Sequence, residues 1–311
     1  MVALYRWMVL TRTFDAKAIT LQRSGRLGTY ASSLGQEAVN VAVADAMAAE
    51  DVLLPSFREH GAQLVRGVTP KELFLYWGGD ERGSDFSGPK NDFLVCIPVG
   101  SHAAHAAGAA LAFKLRGEMR AAVAILGDGA TSKGDVYEAM NVAGAWHLPV
   151  IFIVNNNQWA ISVPRERQTA AQTLAQKAIA AGFEGRQVDG NDVVAMYQAA
   201  DRALHKARTG GGPMLIEALT YRLGDHTTVD DARRYRDDKE VSAHWKEEPV
   251  LRTRLYLTNA HGWTKREEED LIDACTATVD EAADAYLTED PESPESMFDY
   301  LHKDLPAALR K

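Results

Sequence analysis

Between residues 103 and 219, apolar positions switch repeatedly between helical spacing and short continuous runs. Ala103 to Arg116 repeats small and apolar side chains at helical spacing, and the run AAVAIL follows it. Lys133 to His147 then precedes VIFIV in the same way. A helix near Thr173 to Ala181, the segment GRQVD, a helix from Val193 to Thr209 and the strand-like MLIEALT continue the scheme. Short apolar runs alternating with helices are the signature of βαβ units on a parallel sheet. The predicted fold is therefore α/β: a doubly wound, mainly parallel sheet with helices on both faces.

The flanks read as helical extensions. In the first quarter, helical spacing recurs around two loops, GTYASSLGQEA and LLPSFREHG. The opening stretch is an amphipathic helix, and Arg6, Arg12, Asp15 and Lys17 deny it the unbroken apolar run of a signal peptide or membrane span. Gly78 to Asp92 is polar and glycine-bearing, which predicts a flexible surface loop. Leu223 to Glu248 is polar and charged, which predicts a mobile loop. Near the end, Thr264 and Glu267 are spaced as a capping box before an acidic helix. The expected organisation is a single domain: a helical part over 1–90, an α/β core over 94–222, a loop over 223–248 and a helical part over 249–311.

Composition narrows the partners. The 311 residues are 46% hydrophobic and 25% charged, enough for a sizeable core. A formal net charge of −9 argues against a nucleic-acid surface and points to small molecules or proteins as ligands. Cys96 and Cys275 are too few for a disulfide framework or a cysteine-based zinc site. A reducing compartment fits, so a cytoplasmic protein without a membrane anchor is expected.

The densest chemistry lies in GDGATSKGDVYEAMNVAGAWHLPVIFIVNNNQW, from Gly127 to Trp159. In a βαβ unit the turns at the carboxyl ends of adjacent strands lie side by side, so Asp128 and Asn157 should face one pocket. A Mg²⁺ ion bridging a diphosphate needs oxygen ligands, only a few of them from protein. Asp128 offers a carboxylate, Asn157 a side-chain carbonyl and Trp159 a backbone carbonyl. Gly127 and Gly129 let the backbone approach phosphates, and Ser132 with Asp135 predicts a cap on a helix whose N-terminus favours anions. Alone, GDG is a tight turn and NNN a loop; their pairing across a βαβ unit carries the signal. A nicotinamide-binding turn is the rival reading, but G-D-G-A-T-S lacks the third glycine of that fingerprint.

GDG followed by the spaced asparagines resembles the thiamin diphosphate motif. The surrounding segments, and NNQWAISVP, are similar to the alpha subunits of pyruvate and branched-chain 2-oxo acid dehydrogenases. GRLGTYASSLGQEA, SFREHG, HAAGAALAFKLRG, VDGND, GPMLIEALTYRLGDHT and DDARRYR follow in that family's order, so the resemblance spans nearly the whole chain. It implies a thiamin diphosphate-binding fold, with Mg²⁺ held by Asp128, Asn157 and the Trp159 carbonyl. It places Arg58 and His226 on the diphosphate, with Gly127, Gly129 and Ala130 beside it. Phe57 stands where such enzymes often have tyrosine, and Trp159 replaces the usual tyrosine or phenylalanine. Ile97 to Ser101 should line the middle of the cofactor, Val99 being the apolar residue that supports its bent conformation.

His226 is the residue the resemblance marks as catalytic, on the loop over 223–248, and imidazole suits proton transfer near neutral pH. His102 and His105 read as structural hydrogen-bonding residues. Thr227 occupies a position that is a regulatory phosphorylation serine in some relatives and reads here as an unmodified loop residue. Tyr235 and Arg236 match residues that order this loop and help dock a lipoyl domain.

The implied activity is oxidative decarboxylation of a small 2-oxo acid and reductive acylation of a lipoyl group on the acyltransferase component of the complex. Such cofactors supply the electron sink, and the protein positions and polarises. The glutamate that hydrogen-bonds the aminopyrimidine comes from a separate beta subunit in this family, which implies two alpha plus two beta chains and an inactive lone alpha chain. LGTYASSLGQEA and RQTAAQTLAQKAIAAGFEGRQVDG favour pyruvate as substrate. Branched-chain and acetoin dehydrogenase alpha subunits are alternatives. A cofactor-binding scaffold that has lost turnover and a nicotinamide dehydrogenase are the readings from other classes.

Overall fold

The structure is a computed structural model and describes residues 1–298 and 301–309. Its strands are β1 Val52–Leu54, β2 Ala122–Gly127, β3 Val150–Asn156, β4 Trp159–Ala160, β5 Val163–Pro164, β6 Glu184–Asp189 and β7 Met214–Leu219. Five of them form a parallel sheet in the order β1-β2-β3-β7-β6, and β4 and β5 make a separate antiparallel pair. The helices α1 Val2–Arg23, α2 Glu37–Ala46, α3 His60–Arg66 and α4 Pro70–Gly78 lie before or around β1. Next come α5 His102–Arg116, α6 Gly134–Ala145, α7 Lys177–Ala180 and α8 Val193–Arg208, which alternate with strands. The chain then runs through α9 Asp238–His244, α10 Pro249–His261 and α11 Lys265–Leu287.

Successive strand side chains point to opposite faces, and both faces of this sheet are covered. Val123, Ile125, Ile151, Ile153 and Ile216 pack with α2 and α8, whereas Ala124, Leu126, Phe152 and Val154 pack with α5 and α6. Burial on both sides is why AVAIL and VIFIV read as continuous apolar runs. The doubly wound arrangement predicted from the alternation is thereby observed. Each fully buried aliphatic side chain in these layers contributes about 1.5–3 kcal/mol relative to exposure. A third cluster joins Phe14, Ala18 and Leu21 of α1 to Phe74 of α4 and to Val279 and Ala283 of α11. The two helical extensions thus form one shoulder beside the sheet. The capping box at α11 is present: Thr264 Oγ1 accepts from the Glu267 amide at 3.2 Å, and Glu267 Oε2 accepts from the Thr264 amide at 2.8 Å.

Three expectations change. LLPSFREHG is not all loop, because Leu53 and Leu54 belong to β1 and His60 opens α3. That strand is only three residues long, too short for periodicity, and pairing with β2 decides it. The segment from Gly78 to Asp92 is pinned: Phe86 is buried, Ser87 donates its amide to Glu72 Oε1 at 2.7 Å, and Asp92 Oδ2 accepts from Arg66 Nε at 2.9 Å. The segment from Leu223 to Glu248 is also anchored, with Ala232 and Arg236 buried and α9 formed within it. Polarity predicted freedom in both places, whereas side-chain bonds to distant backbone supply the anchoring. Among the described residues no helix is long and apolar enough to cross a membrane.

Candidate active site

The strands of a parallel sheet end level with one another, and here Gly127 of β2 stands beside Asn155 of β3, and Asn156 beside Leu219 of β7. A cavity of about 240 Å³ opens at these carboxyl ends. Phe57 and Arg58 reach it from after β1, Gly127 to Ala130 from the end of β2, Asn157 and Trp159 from after β3, and His226 from after β7, with Val99 at its edge. The chain crossovers thus collect residues far apart in sequence. Ile97 does not line this cavity and is 51% exposed. A larger cleft of about 820 Å³ lies on the other side of Trp159, but Asp128, Asn157, Arg58 and His226 are all absent from its walls.

Asp128 is buried, and no ion pair to it forms among the described residues. Its Oδ2 accepts from Gln168 Nε2 at 2.7 Å, and desolvation raises its carboxyl above the ordinary range. A buried carboxylate without a cation is costly. Asn157 sits nearby on the cavity wall, its Oδ1 accepting from the Trp159 amide at 3.2 Å. The Trp159 carbonyl accepts from Arg222 Nη1 at 3.2 Å, which leaves it a second lone pair. These three oxygens are hard donors of the kind a divalent cation takes. A Cβ built on Gly127 would stand in open space, whereas one on Gly129 would fall 2.7 Å from the Ala160 Cβ. Close backbone approach is therefore forced at Gly129 and left free on the cavity side of Gly127.

The opposite wall carries unpaired donors. Arg58 is buried without a carboxylate partner: Nη1 donates to the Ser32 carbonyl at 2.6 Å and Nη2 to the His226 carbonyl at 2.6 Å. Burial and Arg222 push its pKa down to about 10, so it remains charged at neutral pH. Arg222 is 1% exposed and donates to the Ile161 carbonyl and the Tyr235 hydroxyl, each at 2.8 Å, while its Nε has no acceptor. Asn155 Nδ2 and Gln36 Nε2, both on residues lining the cavity, are buried donors without partners too. Buried donors normally find acceptors. Arg58, Asn155 and Gln36 line the cavity, with Arg222 outside that lining, and their donors fit an anion that brings its own oxygens.

His226 Nδ1 lies 3.0 Å from Arg58 Nη2. A guanidinium only donates, so Nδ1 accepts and the neutral ring carries its proton on Nε2. Burial, then Arg58 and Arg222, push the His226 pKa down to about 4, which keeps the imidazole neutral at pH 7. The ring of Phe57 stands edge-on to it with centroids 6.1 Å apart. The loop bearing His226 is tied in place: Asp230 Oδ2 accepts from the His226 amide at 2.9 Å and also from the Tyr235 hydroxyl, and Arg236 donates to the carbonyls of Arg222 and Gly224. Tyr235 and Arg236 therefore order this loop. His102 donates Nε2–H to the Ile125 carbonyl at 2.8 Å, the structural role expected of it, and His105 stacks on Phe93 away from the cavity.

One local expectation fails. Ser132 does not cap α6, which starts at Gly134 without a side-chain cap, and Ser132 Oγ reaches the Gln168 carbonyl at 3.5 Å instead. A 3₁₀ turn over Asp128–Ser132 intervenes between strand and helix, so the amides near the cavity belong to that turn. Sequence reading also missed Gln36, Asn155, Gln168, Lys177 and Arg222. Lys177 is buried and donates Nζ to the Thr131 carbonyl at 2.7 Å, bracing this turn from behind. A lysine in a helical stretch carries no local sign of burial. Arg222 and Asn155 had one usable signal, their places just past or at the end of predicted strands.

A parallel α/β sheet with hard oxygens and orphaned donors gathered around one cavity at its carboxyl edge defines the class of this chain, an α/β protein with a polar site at its strand ends. Residues 5–294 match the dehydrogenase E1 component family, and the chain belongs to it. It is 42% identical over 307 residues to the 3-methyl-2-oxobutanoate dehydrogenase subunit alpha of Mycobacterium tuberculosis, covering 99% of this chain and 84% of that relative. It is 40% identical over 310 residues to the pyruvate dehydrogenase E1 component subunit alpha of Staphylococcus aureus, again covering 99% and 84%. The chain is thus an alpha subunit of 2-oxo acid dehydrogenase type.

Proposed function

We propose that this chain binds thiamin diphosphate and Mg²⁺ in the cavity at the strand ends and, with a separate beta subunit, decarboxylates pyruvate and acylates a lipoyl group. The observation that carries this reading is the meeting of a buried carboxylate without an ion pair, Asp128, with a buried cation without one, Arg58, and the orphaned donors of Asn155 and Gln36 around one cavity. Asp128, Asn157 and the Trp159 carbonyl would hold the metal. Arg58 and His226 would face the diphosphate, with Gly127, Gly129 and Ala130 giving close backbone approach. Val99 and Ile97 would lie along the middle of the cofactor, on the side this chain leaves open. Bound there, the cofactor supplies the electron sink for loss of CO₂.

His226, neutral and protonated on Nε2, would donate a hydrogen bond to charge developing on substrate oxygen. Phe57 and Trp159 would exclude water around it. The exposure of Ile97 and Val99, at 51% and 43%, suits closure by a beta chain in a pair of alpha and beta subunits. Tyr235 and Arg236, by ordering the His226 loop, would shape the surface that a lipoyl domain approaches. The acyltransferase component that carries that domain would be the second partner. Cytoplasmic residence and a single folding unit over 1–311 go with this reading.

Pyruvate is the preferred substrate because the segments Leu27 to Ala38 and Arg167 to Gly190 are most like pyruvate enzymes, and the Staphylococcus aureus relative is one by name. The Mycobacterium tuberculosis relative, of nearly equal identity, favours a branched-chain 2-oxo acid as the second reading. Co-expression with the beta chain, followed by reduction of an artificial acceptor with thiamin diphosphate and Mg²⁺, separates them. Higher kcat/KM on pyruvate than on 3-methyl-2-oxobutanoate is expected, and the reverse order would move the chain to the branched-chain class. Cofactor binding without turnover on either acid would indicate a scaffold subunit.

A further inference from the structure

Behind Arg58 and His226 lies a buried network that the chemistry above does not use. Asp15, on α1, is buried, and its Oδ2 accepts from Ser32 Oγ at 2.7 Å, the Ser33 amide at 2.9 Å and Ser33 Oγ at 3.2 Å, while Oδ1 accepts from the Tyr30 hydroxyl. One carboxylate thus fixes the loop over Tyr30–Ser33. That loop touches the site twice. Its Ser32 carbonyl accepts from Arg58 Nη1 at 2.6 Å, and Tyr30 exchanges two bonds with Thr228, the Thr228 amide to the Tyr30 carbonyl at 2.9 Å and the Tyr30 amide to Thr228 Oγ1 at 3.1 Å. Thr228 is two residues from His226, whose carbonyl accepts from Arg58 Nη2 at 2.6 Å.

Among the described residues no cation touches Asp15 directly. The nearest basic side chain to Asp15 is His60, with Nδ1 at 3.9 Å from Oδ1. His60 is neutral at pH 7, since burial and Arg58 push its pKa down to about 3. Its Nε2 accepts from Trp77 Nε1 at 3.0 Å, which places its ring proton on Nδ1, towards Tyr30 and Asp15. The peptide between Ser32 and Ser33 links Asp15 to Arg58, its amide donating to Asp15 and its carbonyl accepting from Arg58. Buried charges persist when they are paired or when they hold a specific geometry.

We infer that Asp15 is a positioning residue for the cofactor site: through the Tyr30–Ser33 loop it sets the direction of Arg58 and holds the His226 loop against it. This rests on the reading of Arg58 as a diphosphate contact. Asp15 touches neither the cavity nor anything bound in it; its effect passes through the Ser32 carbonyl and the Tyr30–Thr228 pair.

The test is thiamin diphosphate binding, by calorimetry in Mg²⁺, to the chain co-expressed with its beta partner. Asp15→Asn keeps the shape and removes the charge. It should weaken binding about tenfold, the scale on which a group supporting a direct ligand acts, with kcat at saturating cofactor changed far less than the cofactor KM. Combined with Arg58→Ala, the same substitution should add almost nothing. Unchanged cofactor affinity in Asp15→Asn, or an equal loss with and without Arg58, would overturn the inference. If Asp15→Asn does not fold, Thr228→Val tests the same path from the other end, with the same expected loss and the same dependence on Arg58. Asp128→Ala and Arg58→Ala run alongside: if neither alters binding, the cofactor reading itself fails, whereas a large loss in both with none in Asp15→Asn rejects only the role of Asp15.

Discussion

The helical shoulder and the strand-end cavity treat charge in opposite ways. On the shoulder, cations meet anions in the half-open: Lys17 with Asp280 at 2.7 Å, Lys71 with Glu289 at 2.5 Å and Arg82 with Glu289 at 2.8 Å. At the cavity, Arg58 and Asp128 are buried and neither forms an ion pair among the described residues. Exposed pairs contribute little and are easily replaced. Buried charges without partners cost several kcal/mol and point to something that binds there. What sets the cavity apart is that its buried charges of opposite sign, Arg58 and Asp128, line one open space without meeting each other.

The sharpest break between the two regions is catalytic. Replacing His226 by Ala should lower kcat by about 10²–10³-fold, the range for a lost hydrogen-bond donor to developing charge, measured in the complex with the artificial acceptor. An unchanged kcat would remove His226 from the chemistry. Next in size, Arg58→Ala should weaken thiamin diphosphate binding by about 2–5 kcal/mol, as for loss of one partner of a buried charged contact. Saturating cofactor and Mg²⁺ should raise stability by about 2.7 kcal/mol at a hundredfold excess over Kd, read as a rise in Tm that Asp128→Ala abolishes.

A smaller effect follows from pH. His226 and His60 fall from an ordinary value of 6.5 to about 4 and about 3 in the folded chain. Below pH 6.5 the unfolded chain takes up these protons before the folded one does, so their influence favours folding fully above that pH and is lost on acidification. The histidines' share of Tm should fall between pH 7 and pH 5, against the opposite contribution of Glu59, which burial pushes up to about 7, and His226→Gln should remove part of the histidine slope. The smallest change belongs to the shoulder. Lys71→Met should cost less than about 1 kcal/mol and leave cofactor affinity alone; an altered affinity would undo the contrast between the regions.

Much of the sheet was legible because its strands are buried on both faces and its helices keep a regular period. AVAIL, VIFIV and MLIEALT announce themselves in that way, and so do the turns at Gly127 and Asn157. β1 is too short for any period to show. Ser132 was misread because a serine before a helical run looks the same whether or not a 3₁₀ turn intervenes. Asp15 read as a polar interruption of an amphipathic helix, when in fact it is buried and fixes a loop beside the cavity. Lys177 and Gln168 gave no sign, since their roles depend on Thr131 and Asp128 folding against them.

By itself, the chain's order of residues determined the alternating α/β architecture and the types of polar group on the turns after β2 and β3. Backbone periodicity and local chemistry act over a few residues, and those are what a linear pattern records. The tertiary structure alone decided which charges go unpaired, which donors are orphaned and which distant carboxylate steadies Arg58. Those depend on burial and on contacts between segments far apart in sequence, where desolvation sets the cost of each charge.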